Sequence, residues 1–409
     1  MHPLQGALRT YAWGSRTAIA ELCGRQVPSN HPEAELWLGA HPANPSRLAV
    51  GDATVSLLDT IADDPVGQLG PRARAGFGDR LPFLLKLLAA EEALSLQAHP
   101  SAEQAKEGFG REEAAGIPLD APIRNYRDDS HKPELVVALT RFEALAGFRD
   151  PHRTVDLLRA LRVPALDNYV AMLAGQPDSS GLRALFTTWI TLPAPALASL
   201  LPQILEGCVR YLSDPGGDRR WTREVQTVLG LGESYPGDAG VLASMLLNRI
   251  TLEPGEGLYL AAGNLHAYLH GLGVEVMANS DNVLRGGLTP KHVDVPELLR
   301  VLDFEPLTGP IRTASAATPT DPVLVYDTPA PEFALARIEL TADAPGVELR
   351  QGGPRILLCT SGSVTLHCGG ERLDLARGES AWIAASDPAV TVRSAAAGES
   401  AQVFSATVG

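Results

Sequence analysis

The spacing of apolar residues changes twice along this chain, and this change constrains the fold more than any other feature. From residue 1 to about 150, short apolar runs such as 81–88 and 94–98 are separated by Pro and Gly, a texture typical of strands joined by turns. From about 151 to 250, apolar residues such as Leu197, Leu201 and Ile204 recur with the i, i+3, i+4, i+7 spacing of an amphipathic helix. Short strand-like runs then return and continue to residue 409. The sequence therefore predicts a mainly β protein with a helical excursion.

Two jelly-roll β-sandwiches and a helical subdomain form the simplest architecture for this pattern. We predict one β-domain split between residues 1–150 and 251–315, a helical insert at 151–250, and a second β-domain at 316–409. Asp150 and Pro151 are typical of the N-cap and first position of a helix, so the insert is expected to begin there. The stretch 237–249 is expected to end it as another apolar helix.

Charge and composition exclude several classes of function. The chain has 48 acidic and 34 basic residues, a net charge of -14, which argues against non-specific binding to nucleic acid. No apolar run approaches the roughly 18–20 residues of a membrane helix, and the first twenty residues do not resemble a signal peptide. The four cysteines form no CxxC pair, and no disulfide is expected between Cys359 and Cys368. We expect a cytoplasmic protein without a nucleic-acid or membrane partner.

Three segments contain most of the side chains that could bind a metal ion. In the first, Ser95, Gln97 and His99 alternate with apolar residues, so on a strand they share one face. The second is Ser130-His131-Lys132-Pro133-Glu134, which leads into an apolar run. The third places His266 after a glycine-containing bend, with His270 four residues further on as a bystander. Each segment alone also fits an ordinary strand or a solvated turn.

The third segment resembles the second motif of the cupin superfamily. Gly255, Gly263 and His266 match that motif, while Ala261 replaces its usual proline, and Gln97-x-His99 stands where the first motif usually has His-x-His. The latter substitution is similar to one branch, the type I phosphomannose isomerases. Further stretches between residues 11 and about 295 resemble that family in order: Tyr11-Ala12-Trp13-Gly14, 34–42, 81–86, 97–100, 131–135, 263–268 and 275–292.

The resemblance implies two cupin-type jelly rolls and one zinc ion per chain, bound by Gln97, His99, Glu134 and His266. On chemistry alone, nitrogen and oxygen ligands would also accept Mn²⁺ or Fe²⁺. The implied reaction is the reversible conversion of mannose 6-phosphate to fructose 6-phosphate, an aldose–ketose isomerisation through an enediolate. The partner implied is therefore a small sugar phosphate, and the family makes a monomer plausible.

The reaction needs a group that stabilises the enediolate and a group that carries a proton. Arg285 matches the family residue treated as catalytic, and its permanent charge suits an enediolate oxygen. The candidates for the proton carrier are His131 and Lys86, the latter because a lysine in an apolar run can have a lowered pKa. Lys86 could instead bind phosphate.

The substrate-binding candidates are four residues near these segments. Ser95 and Lys291 are candidates for phosphate, Tyr268 completes this group, and Asp281 could orient a substrate hydroxyl or hold Arg285. Two other functions remain open from the residues, a metal-dependent cupin dioxygenase and a non-enzymatic sugar-binding cupin. The domain at 316–409 has His367 but no ligand set around it, so we expect a degenerate cupin without metal.

Overall fold

The first third of the chain consists mainly of strands, as the apolar spacing predicts. The structure is a computed structural model that describes residues 1–341, 345–349, 351–395 and 399–409. Up to residue 148 it contains strands β1 (His2–Gln5), β2 (Ala7–Arg9), β3 (Glu35–Leu38), β4 (Arg47–Val50), β5 (Ala53–Ser56), β6 (Phe83–Ala90), β7 (Leu96–Ala98), β8 (Glu134–Ala138) and β9 (Phe142–Phe148), and helices α1 (Ala18–Leu22), α2 (Leu57–Asp63), α3 (Pro65–Phe77) and α4 (Ala102–Ala114).

The first helix after residue 148 begins at the residues that the sequence predicts. Asp150 accepts a hydrogen bond from the backbone N–H of Arg153 at 3.0 Å, and Pro151 occupies the first helical position. The helices that follow are α5 (Pro151–Ala160), a 3-10 turn (Pro164–Leu166), α6 (Asp167–Gly175), α7 (Ser179–Ile190), α8 (Ala194–Ser213), α9 (Thr222–Ser234) and α10 (Gly240–Ser244). The apolar stretch at 237–249 is only partly helical, because it passes into a strand at Leu247.

Strands return after the helices and continue to the C-terminus. The elements are β10 (Leu247–Leu252), β11 (Glu256–Leu260), β12 (His266–Ala278), β13 (Leu284–Gly287), α11 (Val295–Val301), β14 (Ile311–Thr313), β15 (Ser315–Ala316), β16 (Val323–Tyr326), β17 (Ala334–Leu340), β18 (Val347–Leu349), β19 (Arg355–Ser361), β20 (Ser363–Cys368), β21 (Glu371–Ala376), β22 (Ser380–Ile383), β23 (Val390–Ser394) and β24 (Ala401–Thr407). The fold is mainly β, with antiparallel sheets on either side of a run of helices, as the apolar spacing predicts.

The long strand β12 organises the sheet that carries the candidate site. Its first half pairs with β7 and β9, and its second half pairs with β6 and β8, all antiparallel. A register shift between Tyr268 and His270 bends the strand between the two halves. Both ends of β12 can therefore face one interior.

A second sheet crosses the domain boundaries that the sequence suggests. Strand β1 pairs with β22, with His2 opposite Trp382, and β4 continues the same sheet on the other side of β1. Residues from the start of the chain thus complete the sheet of the C-terminal domain. The boundaries themselves stay a prediction, and the N-terminal strands β1, β4 and β5 belong to this sheet rather than to that of β12.

The helical insert has a core of its own that is continuous with the sheet of β12. Phe186, Trp189 and Ile204 are fully buried in it together with Leu96 and Ala98 of β7. Among the described residues no single helix is long and apolar enough to cross a membrane, although α7 and α8, bent by 110°, would pass together on length and composition.

Candidate metal centre and active site

Two histidines and a glutamate from three different strands or strand ends meet inside the sheet of β12. Nε2 of His99 lies 3.3 Å from Oε1 of Glu134, and Nε2 of His266 lies 3.3 Å from Oε2 of the same carboxylate. The ligand atoms of the three residues all lie within 4.8 Å of one another, and all three side chains are buried. The sequence analysis named these three residues as metal ligands, and the structure brings them together.

Local backbone geometry aims both imidazoles at the carboxylate. His99 Nδ1 lies 2.7 Å from the backbone oxygen of Asn282, and His266 Nδ1 lies 3.0 Å from that of Asn264. A carbonyl oxygen can only accept, so each Nδ1 carries the proton and each Nε2 keeps a lone pair. This tautomer is the one that a metal ligand needs on Nε2.

The turn before His266 requires a glycine. Gly263 has φ +79°, and a Cβ at this position would lie 3.0 Å from the backbone and side chain of Asp303. Its N–H donates to the backbone oxygen of His99 at 2.9 Å, so the turn also joins the two histidine-bearing segments. The glycine that matches the cupin motif therefore positions His266, a candidate ligand.

Burial and neighbouring charges set the protonation states of the cluster. Burial lowers the pKa of His99 to about 4, so this imidazole is neutral near pH 7. Burial alone would raise the pKa of Glu134, but charged neighbours, among them Lys132 at 3.3 Å, hold it well below its usual range. A neutral imidazole and an ionised carboxylate are the forms that bind a metal ion.

The residues present fit a divalent metal ion. His99 Nε2 is buried and has no hydrogen-bond partner among the described residues, although its lone pair points toward Glu134. A buried, unpaired acceptor is costly, and a cation would satisfy it. Two imidazole nitrogens and a carboxylate form a donor set that suits zinc.

Gln97 and Ser95 lie beside this cluster. Gln97 pairs through its backbone with His266 on one side and Arg285 on the other, and its side chain is half-buried. Within β7, Leu96 and Ala98 face the core of the helical insert, so Gln97 faces the opposite side. Ser95 precedes the strand on that same face and is also half-buried.

Lys86 is held by carboxylates, which corrects the expectation of a lowered pKa. Its Nζ lies 2.9 Å from Glu275 and 3.4 Å from Glu35, and the side chain is only 7% exposed. Burial would lower the pKa of Lys86, but Glu275 and Glu35 outweigh it and raise the pKa above its ordinary value. Lys86 is therefore a permanent cation near pH 7. The expectation of a lowered pKa was wrong because the sequence does not show that two carboxylates face this lysine.

Tyr268 belongs to the same buried network. Its hydroxyl donates to Glu275 Oε1 at 2.8 Å, while Lys86 donates to the other oxygen. Burial, and next Glu275, raise the pKa of Tyr268, so its hydroxyl stays protonated. The network gives Glu275 two fixed donors, a role that the sequence analysis did not assign to it.

Arg285 and Lys291 lie close to each other without a counter-ion. Neither side chain makes a hydrogen bond or salt bridge within the described part of the chain. Burial, and then the charge of Arg127, lower the pKa of Arg285, and burial with Arg285 and Arg127 lowers that of Lys291. Arg127, which the sequence analysis missed, makes this a group of three neighbouring cations.

Asp281 and His131 are paired elsewhere. Asp281 Oδ1 lies 3.3 Å from His41 Nε2, and it forms no salt bridge with Arg285. His131 Nε2 lies 2.6 Å from Glu332 of the C-terminal domain, and the pair lines a cavity of about 180 Å³. The structure therefore does not bring His131 into the His99–Glu134–His266 group.

Lys132 and Glu275 were also missed as site residues. Lys132 Nζ lies 3.3 Å from Glu134 Oε1 and is largely buried. Both residues lie inside stretches that resemble the isomerase family, which was the only available signal. Their roles depend on contacts between strands that are distant in sequence.

The chain matches known proteins over almost its whole length. Residues 1–151 match the family model for the catalytic domain of phosphomannose isomerase type I. Mannose-6-phosphate isomerase of Escherichia coli (strain K12) is 40% identical over 401 residues, which cover 96% of this chain and 97% of that protein. Mannose-6-phosphate isomerase of Bos taurus is 34% identical over 385 residues, covering 89% and 88%.

Solved structures give the same result. A zinc-bound mannose 6-phosphate isomerase superimposes with a TM-score of 0.88 at 36% identity, covering 100% of this chain and 99% of its own. A second, bound with zinc and yttrium, superimposes with a TM-score of 0.88 at 37% identity and the same coverage.

Proposed function

Because the chain belongs to the type I phosphomannose isomerase family, we infer that it is a zinc-dependent mannose-6-phosphate isomerase. It interconverts mannose 6-phosphate and fructose 6-phosphate, and zinc is its cofactor. The observation that carries this conclusion is the buried group of His99, Glu134 and His266, whose ligand atoms converge on one point. Bound zinc supplies a Lewis acid that stabilises negative charge on a substrate oxygen.

Gln97 is proposed as the fourth ligand. It shares its face of the strand with His99, and its backbone pairs with His266. An amide oxygen there would complete a set of four protein ligands, and zinc can expand to five-coordination.

Arg285 and Lys291 are proposed to bind the anionic parts of the substrate. A cation without a protein partner is ready to pair with phosphate or with an enediolate oxygen, and Arg285 offers five N–H donors. Burial lowers the pKa of both groups, Arg127 lowers that of Arg285 further, and Arg285 and Arg127 lower that of Lys291 further, so a bound anion would relieve the repulsion among these cations. Ser95 would add a hydroxyl, and Asp281 would orient a sugar hydroxyl while paired with His41.

We propose Glu275 as the group that carries the proton between C1 and C2. A base must accept a proton and return it, and burial, with the neighbouring Glu134 and Glu35, raises the pKa of Glu275 despite Lys86. Lys86 and Tyr268 hold its two oxygens in place. Lys86 would thus act as a positioning cation, and His131 remains a candidate only through movement away from Glu332.

The redox state of the cysteines bears on the cellular setting. All four cysteines are free, which suits the reducing cytoplasm, and we propose that the enzyme works there on a small sugar phosphate. The family resemblance favours a monomer, which light scattering coupled to size-exclusion chromatography would measure.

The test is a coupled assay of mannose 6-phosphate conversion, run before chelation, after chelation and after zinc is restored. Activity should disappear and return with zinc. Running the same assay without oxygen separates an isomerase from a cupin dioxygenase, since only the latter consumes oxygen. A chain that holds its zinc and does not convert the substrate would contradict the proposed function.

A further inference from the structure

Asn282 forms a buried bridge between two segments of the site. It is 0% exposed, and its side-chain Oδ1 accepts hydrogen bonds from the backbone N–H groups of Arg127 at 2.7 Å and Asp128 at 3.2 Å. Its Nδ2 donates to the backbone oxygens of Asp128 at 2.7 Å and Ser130 at 2.9 Å. Both ends of the amide are therefore fully used on one loop.

The backbone of the same residue contacts a metal ligand. The carbonyl oxygen of Asn282 lies 2.7 Å from Nδ1 of His99 and so fixes the tautomer that leaves Nε2 free. The loop 127–130, to which the side chain of Asn282 is hydrogen-bonded, leads directly into Lys132 and Glu134. Asn282 is thus linked to His99 through its backbone and to the segment of Glu134 through its side chain.

Neighbouring residues reinforce this bridge from both sides. Asp128 accepts from the hydroxyl of Ser280 at 2.8 Å and from the backbone N–H of Asp281 at 2.8 Å. Ser280 also accepts from the backbone N–H of Asn282 at 3.2 Å. The two segments therefore hold each other through reciprocal bonds that leave little freedom at the carbonyl of Asn282.

We propose that Asn282 is a positioning residue for the zinc site, and that its side-chain amide fixes the carbonyl that orients His99 relative to Glu134. The proposal rests on the zinc site of the proposed function. An amide is required, because only an amide offers an acceptor to two N–H groups and a donor to two carbonyl oxygens at once. Buried networks of this kind specify one geometry only when every member is satisfied.

Asn282→Asp tests this role most directly, because it removes the Nδ2 donor and keeps the size of the side chain. The carboxylate keeps its shape and one acceptor oxygen, but its second oxygen would face the carbonyls of Asp128 and Ser130. The loop and the carbonyl of Asn282 must then separate, and His99 loses its fixed orientation. Loss of such outer partners of metal ligands typically weakens metal binding by about 10–100-fold, and we expect this range.

The matched control is Asn279→Asp, which introduces the same charge three residues away. Its Nδ2 makes one long bond, to the backbone oxygen of Leu81 at 3.4 Å, and its side chain contacts no metal ligand in the described structure. Zinc dissociation constants are measured on the full chain by competition with a chromophoric chelator, and melting temperatures are measured after chelation. We expect weaker zinc binding for Asn282→Asp and unchanged binding for Asn279→Asp.

Ser280→Ala provides a second variant if Asn282→Asp does not fold. It removes the hydroxyl that donates to Asp128 and accepts from the backbone N–H of Asn282, with little change in volume. We expect zinc binding to weaken by at least about 2–10-fold, the range for the loss of a single hydrogen bond. A lower melting temperature of the chelated protein with unchanged zinc affinity would overturn the proposal, because a merely structural role predicts that result. Equal weakening in Asn279→Asp would also overturn it. A wild-type chain without zinc affinity would overturn the proposed function as well.

Discussion

Replacing Lys86 with methionine should lower the free energy of opening the sheet that contains β6 and β12. Methionine keeps most of the side-chain volume but removes the charge that lies 2.9 Å from Glu275 and 3.4 Å from Glu35. Side-chain exposure is 7% for Lys86 and 3% for Glu275, so water cannot take over the lost contact. Removing one partner of a buried pair typically costs about 3–5 kcal/mol, and we expect a loss in this range.

The loss should grow as pH rises. In the wild type, the folded-state pKa of Lys86 is raised, so its contribution is present throughout pH 5–8 and is lost only above about pH 10.4, the unfolded value. In Lys86→Met the pKa of Glu275, already raised by burial, rises further. The contribution of a carboxyl whose folded-state pKa is raised is fully present below the unfolded pKa, about 4.3, and is lost as the pH rises through the folded-state pKa. The variant should therefore have a lower free energy of unfolding at pH 8 than at pH 5.

Hydrogen exchange of the backbone amides in β6 and β12 measures the free energy of opening this sheet directly. The matched control is Arg74→Met, which breaks a shorter contact, 2.6 Å to Asp79, between side chains that are 36% and 56% exposed. That pair should be worth about 0–1 kcal/mol, because burial rather than distance decides the cost. Adding Glu275→Gln to Lys86→Met should recover part of the loss and weaken its pH dependence. A Lys86→Met variant within 1 kcal/mol of wild type at both pH values, a threshold taken from exposed pairs, would refute the reasoning.

Three further predictions concern catalysis and stability. Arg285→Ala should lower kcat by about 10²–10³-fold while zinc content, measured by metal analysis, stays stoichiometric, because Arg285 has no protein partner to lose; loss of zinc would instead make it structural. Arg149→Met should destabilise the junction between the helical insert and β10 by about 2–5 kcal/mol in thermal unfolding, because two buried carbonyls, those of Met245 and Leu247, lose their donor; an unchanged melting temperature would contradict this. Gly108→Ala should lower the melting temperature because its Cβ would collide with the ring of Tyr126. Gly110→Ala in the same helix has open space and should raise the free energy of unfolding by about 0.5–1 kcal/mol, and with it the melting temperature. Equal effects of the two substitutions would contradict the packing at Gly108.

The three residues of the candidate metal site, His99, Glu134 and His266, could be predicted from sequence because short motifs determine their positions locally. His99 lies on an alternating strand segment, and Gly263 with its positive φ sets the turn before His266. Glu134 opens a strand whose apolar run is visible in the sequence. The helical insert was equally readable, because its period of 3.6 residues and the Asp150 cap are local signals.

The roles of Lys86 and His131 could not be read in this way. Lys86 meets Glu275, 189 positions away, and this pairing reverses the direction of its pKa shift. His131 meets Glu332, 201 positions away in the C-terminal domain. The pairing of His2 with Trp382 across the predicted domain boundary is of the same kind. Such contacts follow from strand order, which a single sequence does not encode in any local pattern.

The basic residues of the candidate site fall into two groups, those that face a carboxylate and those that do not. Lys86 and Lys132 are buried against carboxylates, so their charges are used to hold Glu275 and Glu134 in place. Arg285 and Lys291 have no carboxylate partner within the described residues, although the chain has 14 more acidic than basic residues. In so acidic a protein, leaving two neighbouring cations unpaired costs electrostatic free energy that a bound anion would recover. Basic residues inside the stretches that resemble the isomerase family thus have two kinds of surroundings, and the presence or absence of a facing carboxylate distinguishes them.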